Sequence, residues 1–186
     1  MAGATEHTIR IIGGQWRGTR IAVAAREQLR PSADRVRETL FNWLAPELPG
    51  ARCLDLFAGT GVLGFEALSR GAAHSVLVEN DAALVKRMQA LKARLKAEHA
   101  EVCGTDVLSW LNGAATRHDI VFVDPPFHHA RVSAVLAALQ RGWLAPRALV
   151  YVECEREATF ELGTLALHRE GNTRQVRYML LRAAGA

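Results

Sequence analysis

Four carboxylates in this sequence each follow a short apolar run, which is where ligand-binding acids stand in a parallel sheet. They are Asp55, Glu79, Asp106 and Asp124. In doubly wound sheets the ligand lies outside the carboxyl ends of the strands, so we expect these side chains to converge on one edge. Each acid could instead cap the helix that follows it, and for Asp106 that alternative stays open.

A glycine-rich turn follows the first of these acids. Gly59, Gly61 and Gly64 fit the spacing G-x-G-x-x-G and lead into a helix predicted to open near Gly61. The absent side chains permit a tight turn and let backbone amides approach a ligand. Glu79 lies about 20 residues on, where an acid binds ribose hydroxyls. The pattern predicts a nucleotide-type ligand, either a dinucleotide or S-adenosylmethionine; an ordinary turn with incidental glycines is the plainer alternative.

The segment Val123-Asp124-Pro125-Pro126-Phe127 favours chemistry on an amino group of a base. Two prolines remove amide donors and fix an extended turn, which leaves the carbonyls of Asp124 and Pro125 free to accept hydrogen bonds. An exocyclic amino group of a purine is a poor nucleophile because its lone pair is delocalised into the ring. A carboxylate and a carbonyl that accept its two hydrogens would favour the tetrahedral nitrogen that attacks a methyl group, and Phe127 could stack on the base.

The elements that hold these residues follow from the apolar periodicity. From residue 51 strands alternate with helices, as in a parallel sheet with right-handed crossovers. The predicted strands are 51–58, 74–79, 101–105, 118–123 and 148–153. Two further β-like runs, 164–169 and 175–181, are separated by a turn at 170–172 and predict an antiparallel hairpin. The predicted fold is therefore α/β, with a mostly parallel seven-stranded sheet that ends in a C-terminal antiparallel hairpin.

Residues 1–49 are predicted to form an N-terminal extension of the domain at 50–186. Runs at 8–12 and 19–24 predict a small β-hairpin, and the spacing of apolar residues predicts a helix at 33–44. The net charge of +4 comes from residues 1–37, because basic and acidic residues are equal in number in the rest of the chain. An arginine-rich extension favours a polyanionic partner, with nucleic acid first, although a solvated basic face is the alternative.

The tip of the predicted hairpin has the composition of a nucleic-acid contact. Trp16 is flanked by Arg17 and Arg20, which suits stacking on an unpaired base and neutralising phosphates. A tryptophan in this position could equally belong to the core.

Length and composition narrow the remaining possibilities. The 186 residues, 49% of them hydrophobic, suit one domain with a small appendage. No apolar run approaches the roughly 20 residues needed to span a bilayer, and residues 1–7 lack the apolar core of a signal peptide. We therefore expect a cytoplasmic protein with no membrane partner. Cys53, Cys103 and Cys154 are far apart and odd in number, which predicts buried thiols and no metal site.

Three stretches of the sequence resemble the RsmD family of bacterial methyltransferases. They are Ile12-Gly13-Gly14-Gln15-Trp16-Arg17-Gly18, the run Arg30-Pro31-Ser32-Ala33-Asp34-Arg35-Val36-Arg37-Glu38-Thr39-Leu40-Phe41-Asn42, and Asp55-Leu56-Phe57-Ala58-Gly59-Thr60-Gly61. Asp124 to Phe127 resembles the (Asp/Asn)-Pro-Pro-(aromatic) tetrapeptide of class I S-adenosylmethionine-dependent amino methyltransferases. The resemblance implies a Rossmann-like class I fold and methylation of the N2 of one guanine, nucleotide 966, in 16S ribosomal RNA.

The resemblance also implies which residues do what. The glycine turn and Asp55 would hold the methionine part of the cofactor, Glu79 the ribose and Asp106 the adenine amino group. The predicted cofactor-binding residues are Asp55, Phe57, Ala58, Gly59, Thr60, Gly61, Glu79, Asn80, Asp106 and Val107. The predicted catalytic residues are Asp124, Pro125, Pro126 and Phe127. The predicted RNA-binding residues are Arg10, Trp16, Arg17, Arg20, Arg30, Arg35 and Arg37.

Three other functions are compatible with parts of this pattern. An N6-adenine methyltransferase acting on DNA or RNA shares the tetrapeptide. A dinucleotide-dependent oxidoreductase shares the glycine turn but leaves Asp124 to Phe127 unexplained. A non-catalytic RNA-binding module would not need four acids along one edge. We expect a monomer whose partner is small-subunit ribosomal RNA, presented on an assembled 30S particle or a late assembly intermediate.

Overall fold

The computed structural model describes residues 8–23, 31–126 and 129–185. A two-stranded hairpin and a helix come first. The strands are β1 (Thr8–Arg10), β2 (Arg20–Ala22), β3 (Arg52–Asp55), β4 (His74–Glu79), β5 (Ala100–Gly104), β6 (His118–Val123), β7 (Leu144–Glu155), β8 (Ala166–Asn172) and β9 (Val176–Arg182). The helices are α1 (Pro31–Leu44), α2 (Val62–Ser69), α3 (Ala82–Leu95), α4 (Val107–Leu111) and α5 (His129–Leu139).

A seven-stranded sheet forms the centre of the molecule. Its strand order is β5-β4-β3-β6-β7-β9-β8. The first five strands in that order pair in parallel, whereas β9 runs antiparallel to both β7 and β8. The strand order reverses between β4 and β6 on either side of β3, which is where ligands bind in doubly wound sheets. The predicted Rossmann-like architecture, with its C-terminal and N-terminal hairpins, is confirmed.

Local boundaries differ from the predictions in several places. The first sheet strand ends at Asp55, because the chain turns through 56–61 to begin α2. Helix α1 begins at Pro31, since proline is favoured in a first helical turn. The short helix α4 was not predicted from the sequence. The hairpin turn predicted at 170–172 lies at 173–175, where the Thr173 hydroxyl accepts from the amide of Val176 at 3.0 Å and closes the turn.

Two apolar layers cover the sheet, one on each face. The first contains Leu40 and Phe41 of α1, Phe65 of α2 and Met88 of α3. The second lies under α4 and α5. Because the described residues of 8–49 contribute to the same core as the sheet, the division into an extension and a domain is a proposal about roles rather than about separately folding units. Among the described residues, no helix has the length and apolar character needed to cross a bilayer.

A buried carboxylate joins the N-terminal hairpin to α2. Glu66 is fully buried, and it accepts hydrogen bonds from the backbone amides of Ile12 at 3.1 Å and Gly13 at 3.0 Å. Its charge is met by Arg70, at 2.8 Å, and by Arg37, whose Nε lies 3.4 Å away. A buried carboxylate is tolerated only when paired in this way. The sequence analysis did not single out Glu66, because it lies in the apolar part of a helix.

Candidate active site

A cleft of about 820 Å³ opens at the carboxyl ends of the parallel strands. Asp55, Glu79, Asp106 and Asp124 all line it, so the structure brings together the four strand-end acids that the sequence placed on one edge. Residues of the hairpin and of α1 also line the cleft, among them Ile9. The cleft therefore lies between the sheet edge and the N-terminal extension, and its volume is that of a site for a cofactor-sized ligand.

The glycine turn at the base of the cleft requires glycine for both its path and its packing. Gly59 and Gly61 have φ values of +53° and +79°, in the left-handed region that other residues disfavour. A Cβ at Gly64 would also lie 2.8 Å from Leu77 on β4, and a Cβ at Gly61 would lie 2.8 Å from the ring of Phe65. The turn thus lets α2 pack closely on the sheet, while the amides of Gly59 and Gly64 donate to Glu79 and Asp55, the two acids beside it.

Asp55 sits at the bottom of this turn and is 2% exposed. Its Oδ2 accepts a hydrogen bond from the Gly64 amide at 3.1 Å, across the start of α2. Burial raises the pKa of Asp55 to about 7; the Gly64 hydrogen bond opposes this shift and the nearby charge of Glu79 adds to it. The carboxyl group is therefore close to its midpoint of ionisation at neutral pH, and a cation bound in the cleft would favour its charged form.

Glu79 is fixed in place by backbone amides. Its Oε2 accepts from Gly59 at 2.9 Å, and its Oε1 accepts from Asn80 at 2.8 Å and Asp81 at 2.9 Å. The carboxylate therefore links the glycine turn to the end of β4. Oε2, which accepts one amide, retains lone-pair capacity for a donor in the cleft. Such fixing is expected of an acid that positions hydroxyl groups.

Asp106 caps a helix and also lines the cleft, and its contact with the cofactor stays a prediction. It is the N-cap of α4, and its Oδ1 accepts from the amides of Leu108 at 3.0 Å and Ser109 at 3.1 Å. It also lines the cleft, where its Oδ2 lies 3.9 Å from the guanidinium of Arg131. Capping fixes the side chain and leaves one oxygen at the cleft.

Asp124, Pro125 and Pro126 form the rim of the cleft where β6 ends. All three line the cleft, with Asp124 and Pro126 exposed and Pro125 half-buried. Phe127, predicted to stack on the base, lies outside the described residues. The catalytic roles of all four residues stay predictions.

Tyr151 and Glu153 are cleft residues that the sequence analysis did not identify. Both line the cleft, and the Tyr151 hydroxyl donates to Oε2 of Glu153 at 2.8 Å. A signal was present in the sequence, because Tyr151, Glu153 and Glu155 alternate at the end of the fifth strand of the sheet and therefore share one face of it.

The predicted RNA-binding arginines divide into exposed and buried groups. Arg10, Arg20 and Arg35 are exposed. Arg37 is 5% exposed, donates to the Arg10 carbonyl at 2.7 Å and pairs with Asp34 and Glu66. Burial lowers the pKa of Arg37, and the two carboxylates oppose that shift. The guanidinium of Arg37 is therefore held by protein groups, while the residue also lines the cleft, and its contact with RNA stays a prediction.

The hairpin tip lies at the opposite end of α2 from the cleft. The amides of Gln15 and Trp16 donate to Ser69, the last residue of α2, at 2.8 and 2.9 Å. The first residue of that helix, Val62, lines the cleft, so about 10 Å of helix separates the two sites. Trp16 is half-buried against the core. Trp16 and Arg17 are therefore not placed to contact a base inside the cleft. Arg30 lies outside the described residues.

An additional arginine joins the hairpin from α3. Arg10 and Arg20 are directly opposite each other in the β1–β2 pair, and Arg94 donates to the Arg20 carbonyl at 2.7 Å. Like charges opposite each other in a hairpin are destabilising unless an anion compensates them. No feature of the sequence separates Arg94 from the other basic residues of its helix.

Comparisons with known proteins agree on one family. The family described as Conserved hypothetical protein 95 matches residues 9–182. Ribosomal RNA small subunit methyltransferase D of Escherichia coli strain K12 is 49% identical over 175 residues, covering 92% of this chain and 88% of that protein. The protein of the same name from Haemophilus influenzae is 45% identical over 156 residues, covering 80% of each. The solved structure of yhhF from Escherichia coli superposes with a TM-score of 0.89 at 48% identity, covering 97% of this chain and all of that one.

Proposed function

Because the chain belongs to the ribosomal RNA small subunit methyltransferase D (RsmD) family, we propose that it transfers a methyl group from S-adenosylmethionine to the N2 amino group of a guanine in 16S ribosomal RNA. The family resemblance suggests nucleotide 966, on a partly assembled small subunit. The observation that carries the proposal is the position of Asp124-Pro125-Pro126 on the rim of the same cleft that holds the glycine turn and Glu79.

The residues of the cleft fit this cofactor. S-adenosylmethionine supplies an electrophilic methyl group on a sulfonium, and it carries an ammonium group and two ribose hydroxyls. Asp55, Glu79 and Asp106 present carboxylate oxygens, which suit hydroxyl, amino and ammonium groups. The same acids would repel the pyrophosphate of a dinucleotide, so the donor set favours a cationic ligand over NAD. Asp55 and the glycine turn would hold the methionine part, Glu79 the ribose and Asp106 the adenine.

Residues at the rim of the cleft would activate the target base. The Asp124 carboxylate and the Pro125 carbonyl would accept the two hydrogens of the amino group and direct its lone pair at the methyl group. The nitrogen–carbon bond then forms as the sulfur–carbon bond breaks, and the methylated nitrogen releases one proton to solvent. A base inside a helix cannot reach Asp124, so an unpaired or extruded guanine is the expected substrate.

The N-terminal extension supplies the positive charge for an RNA partner. Arg10, Arg20 and Arg94 form a cationic cluster, defined here as the arginine cluster, on the hairpin and the adjoining α3. The hairpin also borders the cleft through Ile9. We therefore assign phosphate contacts to the arginine cluster and to Arg35. Arg17 would contribute only to RNA that extends to the far end of α2.

Methyl transfer to defined acceptors tests the proposal. Wild-type protein with labelled S-adenosylmethionine should produce N2-methylguanosine in unmethylated small subunits, as identified by nucleoside mass spectrometry. Asp124→Ala should lower turnover by about 10²-fold while cofactor affinity stays within a few-fold, because Asp124 acts mainly in the transition state.

Two controls make this experiment decisive. Asp119→Ala removes an exposed acid at the other end of β6, where its Oδ2 accepts from the Arg52 amide at 2.8 Å, and should leave turnover unchanged. Near-normal turnover of Asp124→Ala would remove Asp124 from the mechanism. Labelled N6-methyladenine would instead support the alternative that the Asp-Pro-Pro-Phe tetrapeptide allows, an adenine methyltransferase.

A further inference from the structure

A second carboxylate stands beside Asp124 at the rim of the cleft. The last paired residues of β6 and β7 are Val123 and Val152. Asp124 and Glu153 are therefore the next residues on two neighbouring parallel strands, whose backbones lie about 5 Å apart. Both residues line the cleft. Glu153 is thus adjacent to the group that would hold the target amino group.

Strand alternation places these two acids on the same face of the sheet. Phe122 and Tyr151 are register partners, and both belong to the core layer beneath α1 and α2. Residues two positions further on return to that face. Glu153 accordingly follows Tyr151 at the side of the cleft that faces the N-terminal extension.

Tyr151 fixes the orientation of Glu153. The phenol ring is 1% exposed, and its hydroxyl donates to one carboxylate oxygen of Glu153 at 2.8 Å. Burial raises the pKa of Tyr151, and the charges of Glu153 and Asp124 raise it further, so the phenol stays protonated and remains a donor. A buried, immobile donor of this kind holds a carboxylate in one position better than solvent does.

The atoms next to the methylated nitrogen differ between purines in a way that a carboxylate can distinguish. In guanine the ring nitrogen N1 carries a hydrogen, so N1–H and the N2 amino group form two adjacent donors. In adenine the ring nitrogen next to the amino group has a lone pair and no hydrogen. An ionised carboxylate only accepts hydrogen bonds, so it attracts the guanine edge and repels the adenine edge.

We propose that Glu153, oriented by Tyr151, accepts the N1 hydrogen of the target base and thereby selects guanine. Asp124 would then contact N2 and Glu153 would contact N1, the two adjacent hydrogen-bond donors on one edge of the base. The two acids would do so from neighbouring strands. This inference rests on the proposed function, because it concerns the base that enters the same cleft. Glu153 is a specificity-determining residue in this assignment, and Tyr151 is a positioning residue.

A modified base isolates the predicted contact. 2-Aminopurine keeps the amino group on C2 but has a lone pair at N1. Small subunits are reconstituted from ligated ribosomal RNA that carries guanine or 2-aminopurine at the nucleotide that the wild-type protein methylates. Methylation rates on the two are compared for wild type and for Glu153→Gln, whose amide can donate to N1. The intrinsic reactivity of the two bases enters the rate ratio of every protein equally, so it cancels when the ratio of a variant is compared with that of wild type.

Wild type should favour guanine strongly, and Glu153→Gln should lower the guanine to 2-aminopurine ratio by about 10- to 100-fold, the range of one good base contact. Tyr151→Phe should lower the ratio by a smaller factor. Glu155→Gln makes the same charge change two residues along β7 in the same cleft and should leave the ratio unchanged.

Three outcomes would overturn the assignment. If wild type methylates guanine and Glu153→Gln has the same guanine to 2-aminopurine ratio as wild type, this inference is overturned and the proposed function stands. A fall in S-adenosylmethionine affinity of Glu153→Gln, measured by calorimetry, would make Glu153 a cofactor residue instead. No guanine methylation by wild type would overturn the proposed function, and this inference with it.

Discussion

Asp55 shows how a single buried acid links the cofactor site to stability. The pKa of its carboxyl group is raised from 3.8 to about 7 because it is enclosed by the protein. A group whose folded-state pKa is raised stabilises the fold below its unfolded pKa, and this contribution is lost as the pH rises through the folded pKa. The ionised acid is therefore costly in the absence of a bound cation.

We expect the unfolding free energy of the wild-type protein to fall between pH 5 and pH 8, relative to Asp55→Asn, by about 2 to 3 kcal/mol. Asparagine keeps an oxygen for the Gly64 amide but does not titrate, and all other ionisable groups are common to both proteins. Urea unfolding at several pH values measures the difference. Parallel stability curves for the two proteins would contradict the raised pKa.

At the scale of elements, attachment of the hairpin to α2 depends on the charge of Glu66. Glu66→Gln replaces one carboxylate oxygen with a donor, opposite backbone amides and guanidinium groups that are themselves donors. We expect a loss of about 3 kcal/mol in unfolding free energy, as when one partner of a buried ion pair is removed. Urea denaturation measures this loss.

The matched control for that variant is Glu38→Gln, which makes the same change at an exposed position of α1. It should alter stability by less than about 0.5 kcal/mol, as surface substitutions do. A loss under about 1 kcal/mol for Glu66→Gln would show that the backbone contacts at Ser69, rather than the buried charge, hold the hairpin.

Net charge is unevenly distributed over the whole molecule, and we expect this to appear in the salt dependence of RNA affinity. All of the formal net charge lies in residues 1–37, and contacts to phosphates make affinity fall with salt as counterions are released. Arg20→Ala should make the slope of log affinity against log salt shallower by about one contact. Fluorescence anisotropy with a labelled 16S ribosomal RNA fragment over a salt series measures the slope.

Arg141→Ala serves as the control for the salt experiment. Arg141 is exposed and lies between α5 and the amino end of β7. The cleft lies at the carboxyl ends of the parallel strands, so Arg141 is at the opposite edge of the sheet. It should leave the slope unchanged. Equal changes of the salt slope for both variants would mean that the arginine cluster has no special role and that RNA affinity depends only on the total charge of the protein.

Much of the site was determined by the sequence alone, because its signals are local in the chain. Local backbone conformation and the spacing of apolar residues produce three of these signals: the alternation of strands and helices, the glycine turn and the acids at strand ends. Residues that are neighbours in the chain largely decide both. Since parallel strands must end on one edge, the convergence of Asp55, Glu79, Asp106 and Asp124 follows from topology alone.

Only the tertiary structure decided what depends on contacts between distant parts of the chain. The burial of Arg37, predicted only as an RNA-binding residue, depends on its pairing with the buried Glu66, 29 positions away. Trp16 was predicted either to stack on an unpaired base or to belong to the core, and it packs against the core at the far end of α2, where Ser69 binds the hairpin tip. The adjacency of Glu153 to Asp124 depends on the register of β6 and β7, which are separated by a helix in the chain. Burial, charge pairing and strand register are properties of the packed molecule, and no local pattern specifies them.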